Sequence, residues 1–103
     1  MHVQVHYQGM NRSPWVDQFV YSRVNKLDRF LNPAAHVEVH VKHLKNQYVT
    51  ALAIHNNSDF AFIANGDNLY ESFAAAVDKA TRALSEQKRK IKDKIHRKIM
   101  GPS

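Results

Sequence analysis

His36-Val37-Glu38-Val39-His40-Val41 sets an apolar residue at every second position, the alternation of a strand with one buried face. Two more segments of this kind follow with no helical period between them. Tyr48 to Ile54 is rich in β-formers with a half-polar face, and Phe60 to Ala64 is short and apolar. Leu44-Lys45-Asn46-Gln47 and Asn56-Asn57-Ser58-Asp59 are the turns expected between the three. Turns this short join strands of opposite direction, so the segment is expected to form an antiparallel meander.

Upstream, Val3, Val5 and Tyr7 alternate with His2, Gln4 and His6, a further strand that Gly9 ends. Ser13 is placed to cap a helix with Pro14 at its first position, where the missing N–H costs nothing. Val16, Phe19, Val20, Val24, Leu27, Phe30 and Leu31 then recur at steps of three and four, one apolar stripe that predicts a helix of about five turns before Asn32-Pro33. Downstream, either Asp67 or Asn68 is placed to cap a last helix, Asn68 pairing with Glu71 as a capping box, and that helix carries Leu69, Tyr70, Phe73, Val77, Ala80, Leu84, Ile91, Ile95 and Ile99 before Gly101-Pro102. The expected fold class is α+β, in the order β-α-β-β-β-α, with two helices packed on one face of a four-stranded sheet. A helix from residue 68 to 98 is about 45 Å long, more than a domain of this size is wide, so its end is expected to project or to lie along a partner.

The 103 residues, 44% hydrophobic and 23% charged, fit one folded domain spanning residues 1–103. The absence of cysteine excludes disulfide scaffolds, thiol catalysis and Cys-ligated metal clusters, and favours the reducing cytoplasm. Met1-His2-Val3-Gln4-Val5-His6 lacks the pattern of a secretory signal, and no apolar run is long enough to span a bilayer, so no membrane association is expected.

Charge is distributed unevenly. Residues 1–87 hold eight basic and eight acidic side chains, whereas residues 88–103 hold seven basic side chains against Asp93 alone, the entire net charge of +6. Arg23, Lys26 and Arg29 flank the apolar stripe of the first helix, and Lys79, Arg82, Arg89 and Lys90 lie away from the Phe73-Val77-Ala80-Leu84 stripe of the last. If the helices pack side by side, these cations form one basic surface suited to phosphate contacts, with a basic helical extension over about residues 88–100. A solvated face would not need such segregation of sign. Ile91, Ile95 and Ile99 run through that extension as a narrow stripe, a continuation of the packing face or a docking edge.

Seven histidines raise a metal hypothesis. His2 and His6 share one face of the first strand, and His36, Glu38 and His40 share one face of the second, opposite the helices if the two strands pair. A metal sensor or metal enzyme on this face is the alternative from another class. Residues i and i+4 of a strand stand about 13 Å apart, however, so no strand supplies two ligands to one ion. The plainer expectation is a wet sheet face that gains positive charge as pH falls toward about 6. No phosphate-cradling glycine loop, metalloprotease helix motif or nucleophile elbow occurs, and no enzymatic activity or cofactor is expected.

Phe19-Val20 through Arg23, Lys26-Leu27 and Phe30 in the first helix, with Asp67-Asn68-Leu69-Tyr70, Val77-Asp78-Lys79, Arg82 and Leu84 in the second, resemble the ribosome hibernation family, that of hibernation-promoting factor and ribosome-associated inhibitor A (protein Y). The resemblance covers about residues 2 to 95, two helical motifs in the right order around the meander.

It implies a fold like that of double-stranded-RNA-binding domains, and a protein that binds the small ribosomal subunit and its ribosomal RNA in the decoding channel. Such a protein excludes messenger and transfer RNA and inhibits translation in stress or stationary phase. Carried over by position, Arg23, Lys26, Lys79 and Arg82 face ribosomal RNA, and Arg89 and Lys90 extend that surface; Arg29 and Lys88 are further candidates for RNA contact. Tyr70 matches a family tyrosine for which packing is the expected role. Glu86 stands where relatives are often basic, and Arg12-Ser13-Pro14-Trp15 replaces the usual Ile-Thr entry to the first helix. The chain resembles the short hibernation-promoting type, expected to be monomeric off the ribosome and to act beside a separate ribosome modulation factor. A double-stranded-RNA binder or RNA chaperone acting off the ribosome is the rival binding module.

Overall fold

The alternation of apolar and polar residues is realised as four strands: β1 (His2–Gln8), β2 (His36–Leu44), β3 (Gln47–Asn56) and β4 (Ser58–Gly66). They form one sheet in the order β1-β2-β3-β4 in a computed structural model that describes the backbone of residues 1–99 and the side chains of residues 1–87. β2, β3 and β4 are the antiparallel meander, and β1 lies parallel to β2 in the register His2↔His36 to Gln8↔Lys42. The turns are tighter than the sequence suggests. β2 and β3 are joined by Lys45-Asn46 and β3 and β4 by Asn57 alone, with Lys45 at φ 50° and Asn57 at φ 66°, because the ladders extend to Leu44↔Gln47 and Asn56↔Ser58.

One face of the sheet is buried. Val5, Val37, Val39, Val41, Leu52, Ile54 and Ala64 point into the core, where they meet α1 (Pro14–Val24) and α2 (Leu69–Ile99). α2 packs over β3 and β4 through Leu69, Phe73, Ala76, Ala80 and Leu84, at the steps of four and three that keep one helix face against the sheet. α1 lies on the β1 side through Val20 and Val24. The observed order is the expected β-α-β-β-β-α, with both helices on one face.

The first helix differs from expectation. The α-helix stops at Val24 and the chain tightens into a 3-10 helix over Asn25–Phe30. With about three residues per turn, positions 24, 27 and 30 fall in line, which buries Leu27 fully and lays Phe30 against the core. Ser13 occupies the N-cap position without a side-chain bond; its carbonyl accepts from the Asp17 N–H at 2.9 Å.

The start of α2 is pinned at several points. Asn68 Oδ1 accepts the Glu71 N–H at 2.9 Å, while Glu71 Oε2 reaches past Asn68 to accept the Asp67 N–H at 3.1 Å, a capping box displaced by one residue. Gly66 allows β4 to pass under this turn, since a Cβ there would stand 2.5 Å from the Ser72 nitrogen. The Ser72 hydroxyl donates to the Leu69 carbonyl at 3.0 Å and lies 2.9 Å from Thr50 Oγ1, and both residues are fully buried. With the Ser72 proton committed to Leu69, Thr50 is the donor of that pair.

The pair is therefore asymmetric. Ser72→Ala strands the Thr50 donor in the core and is expected to cost about 1–3 kcal/mol, whereas Thr50→Val leaves Ser72 its carbonyl and costs less. The double variant should be more stable than the sum of the two losses implies. Urea denaturation midpoints at constant slope measure all three.

Candidate nucleic-acid interface

Side by side on the sheet, the first helix and α2 leave a groove of about 550 Å³ between them. One wall is Phe19 and Arg23 of α1, followed by Lys26 and Arg29 of the 3-10 segment. The other wall is Tyr70, Ala74, Val77, Asp78 and Thr81 of α2. Ala74 keeps the floor low, and the Thr81 hydroxyl turns back to donate to the Val77 carbonyl at 2.8 Å. The Arg23 guanidinium sits 5.3 Å over the Phe19 ring and that of Arg29 4.6 Å over Phe30, so aromatic faces set the direction of both cations. Asp78 is the lining carboxylate. Such a concave surface, apolar below and cationic at the rim, fits a phosphate backbone with its bases or sugars against the floor.

A hydrogen-bonded staple fixes the angle of α1. Tyr7 of β1 donates its phenol proton to Asp17 Oδ1 at 2.6 Å, and Arg12 Nε donates to Asp17 Oδ2 at 2.9 Å. Burial, and then the bond to the Asp17 carboxylate, push the Tyr7 phenol well above its ordinary value. The Tyr7 bond foremost, and then Arg12, hold the Asp17 carboxyl below the usual carboxylate range. Gly9, at φ 77°, turns the chain from β1 toward this staple where a Cβ would stand 2.7 Å from the His43 carbonyl oxygen.

The structure brings together Arg23, Lys26 and Arg29 but leaves Lys79 and Arg82 of α2 outside that group. Lys79 Nζ donates to the Ile63 carbonyl at 2.7 Å, on the β4 side of α2, and Arg82 is exposed outside the groove lining. Lys88, Arg89 and Lys90, with Ile91, Ile95 and Ile99, have side chains outside the described residues. Sequence reasoning gave Tyr70 a packing role. Its ring does meet Phe19 edge-on at 4.7 Å, yet it remains 53% exposed.

The opposite face of the sheet carries His2, His6, His36 and His40. His2 stacks on His36 at 5.2 Å and His6 on His40 at 4.7 Å, each pair in register across β1 and β2, and Glu38 lies 3.7 Å from His40. Among the described residues, no three His, Cys, Asp or Glu side chains converge on a point an ion would occupy.

Comparison with known proteins places these features. The family model described as Sigma 54 modulation protein / S30EA ribosomal protein matches residues 3–92. A ribosomal subunit interface protein from Coxiella burnetii superposes with a TM-score of 0.74 at 18% identity, over 86% of this chain and 99% of that one. The N-terminal domain of Protein Y from Thermus thermophilus superposes with a TM-score of 0.77 at 12% identity, over 84% of this chain and 98% of that one. At these identities the likeness is one of fold. No curated protein sequence matches.

The staple sets a pH dependence. Because the folded carboxyl of Asp17 titrates below its unfolded value of about 3.9, its contribution to stability is complete above that pH and is lost as pH falls through the lower folded value. Asp17→Asn is expected to lower stability at neutral pH, and the gap between variant and parent should close on acidification. Urea titrations of both proteins from about pH 2 to pH 7 test this.

Proposed function

The chain belongs to the Sigma 54 modulation protein / S30EA ribosomal protein family, and from that membership we propose that it is a ribosome hibernation factor acting in the cytoplasm. It binds ribosomal RNA of the small subunit in the decoding channel and inhibits translation by occupying the space of messenger and transfer RNA. The convergence of Arg23, Lys26 and Arg29 on one groove carries this reading, since it supplies the concentrated positive surface that phosphates require. Arg82, Lys79 and the stretch Lys88-Arg89-Lys90 add flanking phosphate contacts. Lys79 reaches them by leaving the Ile63 carbonyl.

The mechanism follows from charge and volume. Phosphate contacts hold and orient the protein without reading sequence, and two rigid helices on a sheet form a wedge that RNA ligands cannot displace by local rearrangement. No bond is made or broken, so the protein is not an enzyme in this reading. In this reading the protein acts as a monomer beside a separate modulation factor that joins ribosomes.

Arg23→Glu with Lys26→Glu is expected to weaken cosedimentation with small subunits at least about tenfold at physiological salt while leaving the fold intact, since both side chains are exposed. The slope of log affinity against log salt should flatten by about 0.7–0.9 for each phosphate that the variant no longer neutralises. Transfer RNA should compete with the parent protein. Unaltered subunit binding by the double variant refutes the groove as the contact surface, and equal affinity of the parent for any RNA duplex transfers the function to an RNA chaperone off the ribosome.

A further inference from the structure

Trp15 is 79% exposed, in the first turn of α1 directly after Pro14. A tryptophan this exposed offers a large aromatic face, and large aromatics dominate binding energy where a partner buries them. Its place is specific. Residues 15, 19 and 23 follow one stripe of α1, so Trp15 stands one turn before Phe19 on the line that continues into Arg23, with Lys26 beyond it in the 3-10 segment. Tyr70 packs edge-on against the same Phe19 and keeps 53% of its surface exposed. Phe19 and Tyr70 line the groove with Arg23, Lys26 and Arg29, and Trp15 stands one helical turn before Phe19, outside that lining.

We propose that Trp15 and Tyr70 form a stacking platform for unpaired bases of RNA, with Arg23 and Lys26 holding the phosphates of the adjoining nucleotides. This rests on the reading of the groove as an RNA-binding surface and deepens it by naming the state of the RNA. Base faces are hidden within a duplex and available in single strands, loops and splayed ends. Cations alone do not distinguish these states, because each presents phosphate, whereas an aromatic face favours only an unpaired base. The groove therefore prefers single-stranded RNA to a duplex of the same charge. The first turn of α1 follows the β1 exit through Gly9 and is held by the Tyr7–Asp17–Arg12 staple, so the indole sits on a fixed mount.

The chain contains a single tryptophan, so its intrinsic fluorescence reports on Trp15 alone. Titration with an eight-nucleotide oligoadenylate is expected to quench that emission, while an RNA duplex of matched charge and inorganic polyphosphate bind at low salt without quenching. Trp15→Ala should weaken oligoadenylate binding on the order of tenfold, read by anisotropy of a labelled oligomer, leave duplex binding unchanged, and be partly rescued by Trp15→Phe. Tyr70→Ala should show the same selective loss, with circular dichroism confirming that the helices persist. Absence of quenching at saturating oligoadenylate, or equal loss of single-strand and duplex affinity in Trp15→Ala, overturns the platform. Cosedimentation with small subunits separates the two ideas: subunit binding by a parent protein that shows no quenching leaves the ribosomal reading standing and the platform refuted. Quenching without subunit binding does the reverse.

Discussion

The parallel pairing of β1 with β2 is the constraint on which the rest of this structure depends. A parallel neighbour cannot be reached by a hairpin, so the chain must leave the sheet after Gln8, cross one of its faces and re-enter at His36. α1 and the 3-10 helix are that crossover. Because α2 already covers β3 and β4, the crossover has only the β1 side of the same face to occupy, and the two helical segments come to rest beside one another. Phe73 fills the seam beneath them and touches Phe19 at 5.6 Å. The groove above the seam is thus a product of topology, kept open by the small side chain of Ala74 and lined by whatever residues the crossover presents outward.

Magnitudes decide which cations in this arrangement are available. A guanidinium over an exposed ring gains about 0.5–1 kcal/mol, so the Phe19 face steers Arg23 without competing seriously with a phosphate. A charge-assisted hydrogen bond such as that from Lys79 to the Ile63 carbonyl contributes roughly 1.5–3 kcal/mol in protected settings and less at an exposed site. Lys79 is consequently the harder cation to recruit. Among the described residues, Arg23 and Lys26 are therefore the more available cations, ahead of Lys79.

Much of the fold was legible because periodicity reports burial directly. Val37, Val39 and Val41, like Phe73, Ala80 and Leu84, announce their element and their inward face at once. The transition at Val24 was not legible, because apolar residues at 24, 27 and 30 satisfy an α-helical stripe and a 3-10 stripe equally well, and only the depth of Leu27 in the core distinguishes them. Arg23, Lys26 and Arg29 could be placed as a group since they flank that stripe. Lys79 could not, because its partner is a carbonyl sixteen residues away on β4. The platform of Trp15 and Tyr70 needed both helices in place, for neither ring has a local partner in sequence that marks it as half-open.

The neutral count over residues 1–87 conceals a polarised body. Asp17 is held by Tyr7 and Arg12 at the entry to α1, Glu71 is engaged in the cap of α2, and Asp59 and Glu38 sit beside His55 and His40 on the far face of the sheet. Each carboxylate placed on a structural duty is held away from the groove, whose lining carboxylate among the described residues is Asp78. The acids of the far face lie on the other side of the sheet from the groove, each beside a histidine. A phosphate in the groove therefore meets a cationic surface, and the local excess of charge, rather than the net charge of the body, determines what it binds.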